Sequence, residues 1–173
     1  MGILLVKKPK YLIIATVPTA VLILDQWTKT LVTDKFRLGE TLPVFGGYFN
    51  LTYIRNPGAA FGIFAQSHPS FRGPFFLFIP LVALVVIGMV FKKLPEKSIL
   101  LASALSLVIG GAIGNLIDRM RFGYVVDFLD FHWRYGYHFP AFNVADSAIC
   151  VGVGILILDI LLQPEKANAP AST

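Results

Sequence analysis

The sequence predicts a membrane all-α bundle of four transmembrane helices, with a small β-containing loop between the first and second spans. Three observations carry this. The 173 residues are 55% hydrophobic and only 14% charged, against about 25% charged in soluble domains, and the mean hydropathy is +0.70. Four apolar segments stand out, at about residues 11–31, 73–91, 98–117 and 141–162. Between the first two lie LPVF, then Gly46 and Gly47, then YFNLTYI, two aromatic and β-branched runs around a glycine turn.

The first segment is continuously apolar only from Tyr11 to Leu24 and then meets Asp25, Trp27 and Lys29. Its far end therefore belongs at an interface or inside the bundle. A cleaved signal peptide is disfavoured, although Lys7, Lys8 and Lys10 precede the run, because no small-residue cleavage site follows Leu24. Asp25 and Lys29 stand at i, i+4 in the favourable acid-then-base order. They either staple the end of the span or hold substrate backbone, and the spacing leaves both open.

The two runs that follow read as two short strands, and an isolated two-stranded unit is marginal in water. It should lean on the membrane surface or on the helix ends. In RNPGAAFGIF, Asn56, Pro57 and Gly58 form a turn before a small apolar patch. The second, third and fourth segments, at about 1.5 Å per residue, match a hydrocarbon core of about 30 Å.

In the third segment, GGAIGNLIDRM sets Gly110 and Gly114 four apart, a spacing that lets helices approach closely. A phosphate-binding glycine loop would need a preceding strand and a following lysine. Asn115 and Asp118 share a helical face. Arg119 can neutralise Asp118 at the interface, and this structural role stands beside a catalytic one.

Asp127 lies in VVDFLDFHW, on an extended run from Val125 to Leu129 that can fold back against the bundle. Asp146 falls about five residues into the fourth segment, roughly 7 Å below its start, with Asn143 one turn earlier on the same face. An ionised carboxylate in such surroundings costs several kcal/mol unless stabilised. No basic residue lies within helical reach of Asp146, so its partner comes from elsewhere, and Asp127 is the nearest candidate in the sequence. A paired-carboxylate active site is the leading reading; the alternative is two unrelated aspartates, one interfacial and one hydrogen-bonded to Asn143.

The remaining polar residues read more plainly. Asp159 falls near the opposite interface, where it can snorkel. The single cysteine, Cys150, reads as a packing residue with no intrachain disulfide partner. His68, His132 and His138 lack metal-ligand spacing. The formal charge of +5 is scattered in clusters at segment edges, which suits anionic headgroups rather than nucleic acid. NAPAST at the C-terminal end reads as disordered.

Four spans place both ends of this single domain on one side. The flanks at 1–10, 92–97 and 163–173 carry seven Lys and Arg against eight elsewhere, in less than half the loop length. That density makes these flanks cytoplasmic, and the loops at about 32–72 and 118–140 extracytoplasmic.

Five blocks occur together and in order: LDQWTK from Leu24, RNPGAAF from Arg55, GGAIGNLIDR from Gly110, VVDF from Val125 and FPAFNVADSAI from Phe139. Together they resemble the lipoprotein signal peptidases, or signal peptidase II, over the chain from first span to last. The resemblance implies a multi-pass aspartic endopeptidase of the bacterial cytoplasmic (inner) membrane with its active site toward the extracytoplasmic side. It implies removal of the signal peptide from diacylglyceryl-modified prolipoproteins, with cleavage before the lipidated cysteine. The catalytic pair carried over is Asp127 and Asp146; Asp25, Lys29, Asn56, Asn115, Asp118, Arg119 and Asn143 match supporting positions. No cofactor is implied, the partners are prolipoprotein substrates and membrane lipids, and the chain is expected to act as a monomer.

Two close carboxylates sharing one proton can activate water and protonate the peptide carbonyl. Asn56 or Asn143 is the candidate donor to the oxyanion. The rival class is a proton- or cation-coupled transporter, which also uses intramembrane carboxylates. Transporters usually show internal repeats and midplane sites, whereas no repeat is evident here and the polar residues gather toward one face.

Overall fold

A computed structural model describes residues 9–58, 64, 67–134 and 136–162. Most of the apolar patch after Gly58 and the C-terminal tail with NAPAST lie outside the described residues. Four helices long and apolar enough to cross a membrane form a bundle: α1 (Pro9–Lys35), α2 (Pro69–Lys93), α3 (Ile99–Phe122) and α4 (Val144–Leu162). The membrane all-α expectation holds.

Helix α3 is the centre, with 56% of its apolar window buried against 11 to 17% in the others. Its glycines make this packing achievable. A Cβ on Gly111 would run into the carbonyl oxygen of Ala145 on α4, and one on Gly114 would lie 2.6 Å from Asp25 Oδ2 on α1. The small-residue face thus brings three helices together beside the polar residues. At the opposite end Lys10, expected on a headgroup-facing flank, is instead buried and donates to Leu94 O at 2.7 Å. A lysine there offsets the negative end of α2.

Two helix ends differ from the sequence expectation. Helix α3 continues past Ile117 to Phe122, because the chain reaches its stop signal only at Gly123, whose φ of 77° is left-handed and whose N–H bonds Arg119 O. Asp118 and Arg119 are therefore helical, not part of the loop expected from 118. Helix α4 starts at Val144 and not Ala141: Asn143 caps it, and Phe142 is held extended by paired backbone bonds with Leu129.

The β-structure is larger than the two strands expected. β1 (Thr41–Phe45), β2 (Phe49–Asn56), β3 (Val125–Trp133) and β4 (Tyr137–His138) form one antiparallel sheet in chain order. Gly47, at φ 81°, makes the expected turn between β1 and β2. The second loop supplies the other half: β3 pairs along β2 from Phe49 opposite Phe131 to Asn56 opposite Val125, with an irregularity between Leu51 and Ile54. A two-stranded unit would be marginal, and β3 removes that problem. Val126 and Phe128 pack with Val32 and Tyr53 into a core cluster beneath the sheet, so strand alternation turns Asp127 the other way.

Candidate active site

The site lies where the C-terminal half of α1, the C-terminal half of α3 and the start of α4 meet β2 and β3. Gly123 ends α3 and the chain enters β3 two residues later, which carries Val126 and Asp127 back over the helix end. The Val126 N–H reaches Asp118 Oδ2 at 3.1 Å. One turn signal thus couples an α3 carboxylate to the strand that holds Asp127.

Asp25 and Lys29 form the expected i, i+4 pair, with Lys29 Nζ 2.9 Å from Asp25 Oδ2. The same ammonium lies 3.0 Å from Asp118 Oδ2. Asp118 is therefore paired with Lys29, not with its neighbour Arg119 as the sequence suggested, because in a helix adjacent side chains diverge. Asp25 Oδ1 also accepts the Ala145 N–H at 2.9 Å, one of the donors at the start of α4 without a helical partner. Of the two roles left open for Asp25 and Lys29, this geometry supports the staple: they tie α1 to α3 and α4.

Arg119 turns elsewhere. Its Nη2 donates to Gly58 O at 3.2 Å, and its guanidinium lies 5.2 Å from the Phe76 ring centroid. It pins the turn after β2 against α2 and α3. Gly58 N in turn donates to Asn56 Oδ1 at 3.0 Å, which leaves the Asn56 amide nitrogen pointing at Asp127 Oδ2, also at 3.0 Å.

Asn115 and Asn143 have their amides oriented by groups that can only donate. Lys29 Nζ donates to Asn115 Oδ1 at 2.9 Å, so Asn115 Nδ2 faces Asp146 Oδ1, 2.7 Å away. The Asp146 N–H donates to Asn143 Oδ1 at 2.9 Å, so Asn143 Nδ2 faces Asp127 Oδ1 at 2.7 Å. Asp146 Oδ2 accepts the Asn143 N–H at 3.3 Å, which closes a reciprocal capping box at the start of α4. Asp146 therefore sits in the first turn of its helix, not several residues inside it.

Both members of the proposed pair belong to one network: Asn143 contacts Asp127 and Asp146, and Asn115 contacts Asp146 and Asn143. Asp127 is 2% exposed. Burial, reinforced by the charge of Asp146, pushes its carboxyl up to about 7, while the Asn56 and Asn143 amides oppose that rise.

A cavity of about 590 Å³ opens beside the network. Asp146, Asn56, Asn115 and Arg119 supply its polar side, and residues such as Phe139 and Phe142 supply an apolar wall. Asp127 lies one side chain behind this lining, held by Asn56. Cys150 also lines the cavity and is exposed, which corrects its reading as a packing residue: one turn beyond Asp146, it faces the opening and not a neighbouring helix. Among the described residues no group of three or more His, Cys, Asp or Glu is arranged to hold a metal ion. Asp159 lies near the far end of α4, away from this network.

Sequence reasoning missed one member. Gln26 Nε2 lies 3.1 Å from Asp25 Oδ2 and 3.0 Å from Asp118 Oδ1. The available signal was an amide directly after Asp25, where the apolar run that ends at Leu24 gives way to polar residues.

The model of the family Signal peptidase (SPase) II matches residues 17–162. A lipoprotein signal peptidase of Geobacter sulfurreducens is 50% identical over 163 residues, covering 94% of this chain and 99% of the relative. One of Syntrophotalea carbinolica is 52% identical over 152 residues, covering 88% and 92%. A solved bacterial membrane enzyme structure, determined by the in meso method, superposes with a TM-score of 0.80 at 32% identity, over 92% of this chain and 94% of that one.

Proposed function

The chain belongs to the signal peptidase II family, and we propose that Asp127 and Asp146 are its catalytic pair, cleaving diacylglyceryl-modified prolipoproteins before the lipidated cysteine. The family makes the protein a multi-pass bacterial membrane peptidase and sets aside the coupled-transporter reading. The observation that carries the pair is that two carboxylates, from β3 and α4, are joined through Asn143 and Asn115 beside a cavity, with no lysine or arginine among the described residues within salt-bridge distance of either.

Catalysis follows from one shared proton. Like charges in a low-dielectric site do not both ionise cheaply, so the pair holds a proton near neutral pH. The ionised carboxylate takes a proton from water as its oxygen attacks the peptide carbonyl, and the protonated one gives its proton to the carbonyl oxygen. Collapse of the tetrahedral intermediate breaks the C–N bond: the carboxyl protonated by water gives its proton to the leaving amine, and the other takes a hydroxyl proton as the carbonyl re-forms, which restores the singly protonated pair.

Of the two asparagines considered as oxyanion donors, Asn56 fits. Asn143 is fully buried, with its amide nitrogen committed to Asp127, Asn115 and Val126 O. Asn56 lines the cavity, and moving its amide from Asp127 onto the carbonyl oxygen as charge builds there would open Asp127 to substrate. The apolar wall suits a lipid-modified residue beside a polar reaction centre. The density of basic residues on the opposite flanks supports an extracytoplasmic sheet end, and the family supports the bacterial inner membrane as the setting.

The test is cleavage by purified protein in detergent. A precursor peptide with a diacylglyceryl cysteine should be cut without ATP and in the presence of chelator, and its unmodified counterpart should not. Equal cleavage of both would remove the lipid from recognition, and activity lost to chelator and restored by zinc would overturn the carboxylate mechanism.

A further inference from the structure

Asp25 and Asp118 are both almost fully buried, at 0% and 1% exposed, and they share a single ammonium, that of Lys29. Two carboxylates and one ammonium leave one negative charge without a counter-charge, which a buried site tolerates only with further donors. The Ala145 and Val126 N–H groups supply one to each carboxylate, and Gln26 supplies the donor that faces both. Its Nε2 reaches Asp25 Oδ2, Asp118 Oδ1 and, at 3.3 Å, Gly114 O; these contacts orient the amide with its nitrogen inward.

Lys29 has three hydrogens and three acceptors: Asp25, Asp118 and Asn115 Oδ1. Its bond to Asn115 is the one that turns the Asn115 amide toward Asp146. If the two carboxylates lost the Gln26 donor, they would compete harder for the ammonium, and Asn115 would lose the group that fixes its orientation.

We infer that Gln26 is a positioning residue for peptide cleavage: by donating to Asp25 and Asp118 together, it leaves Lys29 free to hold Asn115, and Asn115 to hold Asp146. The inference rests on Asp146 being half of the catalytic pair. It assigns work to a residue outside the pair and outside the cavity lining.

Three substitutions separate donation from space filling. Gln26→Lys keeps inward donors, Gln26→Met keeps length without a donor, and Gln26→Glu keeps shape while adding a third carboxylate. Donation ranks their turnover Lys above Met above Glu, with kcat within about threefold of the parent, down about tenfold and down about a hundredfold respectively, and KM within about twofold throughout. Space filling ranks Glu highest. The measurement is steady-state cleavage of the diacylglyceryl precursor by each purified full-length variant, with thermal midpoints taken alongside. Parent-like turnover in Gln26→Glu, Met above Lys, or a loss confined to KM would overturn the inference. If Gln26→Glu does not fold, the order of Lys and Met decides it. Failure of the underlying pair would look different: Asp146→Asn would remain active whatever Gln26 does.

Discussion

Four aspartates share one network at the sheet end of the bundle, and they fall into two pairs that differ in the donors facing them. Asp25 and Asp118 are met by an ammonium, the Gln26 amide and backbone N–H groups. Asp127 and Asp146 are met by asparagine amides and one backbone N–H. The first pair binds helices together through these contacts. Among the described residues no lysine or arginine lies within salt-bridge distance of the second pair, which borders the cavity and which we propose shares a proton. On the proposed assignment, the same residue type is structural in one place and reactive in the other because the counter-charge differs.

The largest expected effect falls on the second pair. Asp127→Asn or Asp146→Asn should each lower kcat by roughly 10³-fold or more, since general acid-base catalysis contributes about 10² to 10⁴. The double variant should be little worse than either single one, because groups acting as a unit are not additive. Multiplying losses in the double variant would dissolve the pair. Near-parent cleavage by Asp127→Asn, with Asp25→Asn inactive although folded, would reverse the assignment of the two pairs.

Removing the cation should strike the first pair as stability. Lys29→Met leaves Asp25 and Asp118 buried without their ammonium, a change that costs about 3–5 kcal/mol. A sharply lower thermal midpoint in detergent, or failure to accumulate in the membrane, is expected. A variant that stays as stable as the parent but loses turnover would move Lys29 from structure to chemistry.

Acidity sharpens the contrast further. With Asp127 held up to about 7, the singly protonated pair should lose its proton above that range, so kcat should fall on the alkaline side with an inflection near 7. A flat profile from about pH 6 to about pH 9 would contradict the shared proton. Stability should show the opposite benefit. The folded carboxyl binds its proton more tightly than the ordinary value of 3.8, so between about 4 and about 7 the folded state holds more protons and stability falls as pH rises. Asp127→Asn should therefore raise the thermal midpoint more at pH 8 than at pH 4, by several degrees. The smallest effect belongs to Asp159→Asn, which should change turnover by less than about twofold.

Much of this was legible in local sequence. Asp25 and Lys29 pair as their spacing demands, Gly46 and Gly47 turn between strands, and the four apolar stretches become the four helices. Where sequence and structure differ, a distant interaction displaces a nearer one. Arg119 stands next to Asp118, yet Lys29 from α1 takes that carboxylate; two strands looked like an isolated hairpin, yet β3 arrives from some 80 residues away to complete the sheet.

The sequence by itself determined which residues are polar in apolar surroundings, where the spans lie and which helical faces carry Asn115 with Asp118, because helix periodicity and hydropathy are local properties. Only the tertiary structure decided the partners. Lys29 reaches Asn115 across 86 positions and Asp25 reaches Ala145 across 120, and no local spacing encodes a donor that far along the chain. The division of four aspartates into a pair that shares the Lys29 ammonium and a pair met by asparagine amides depends on those long-range donors, so it appears only when the helices and the sheet are assembled.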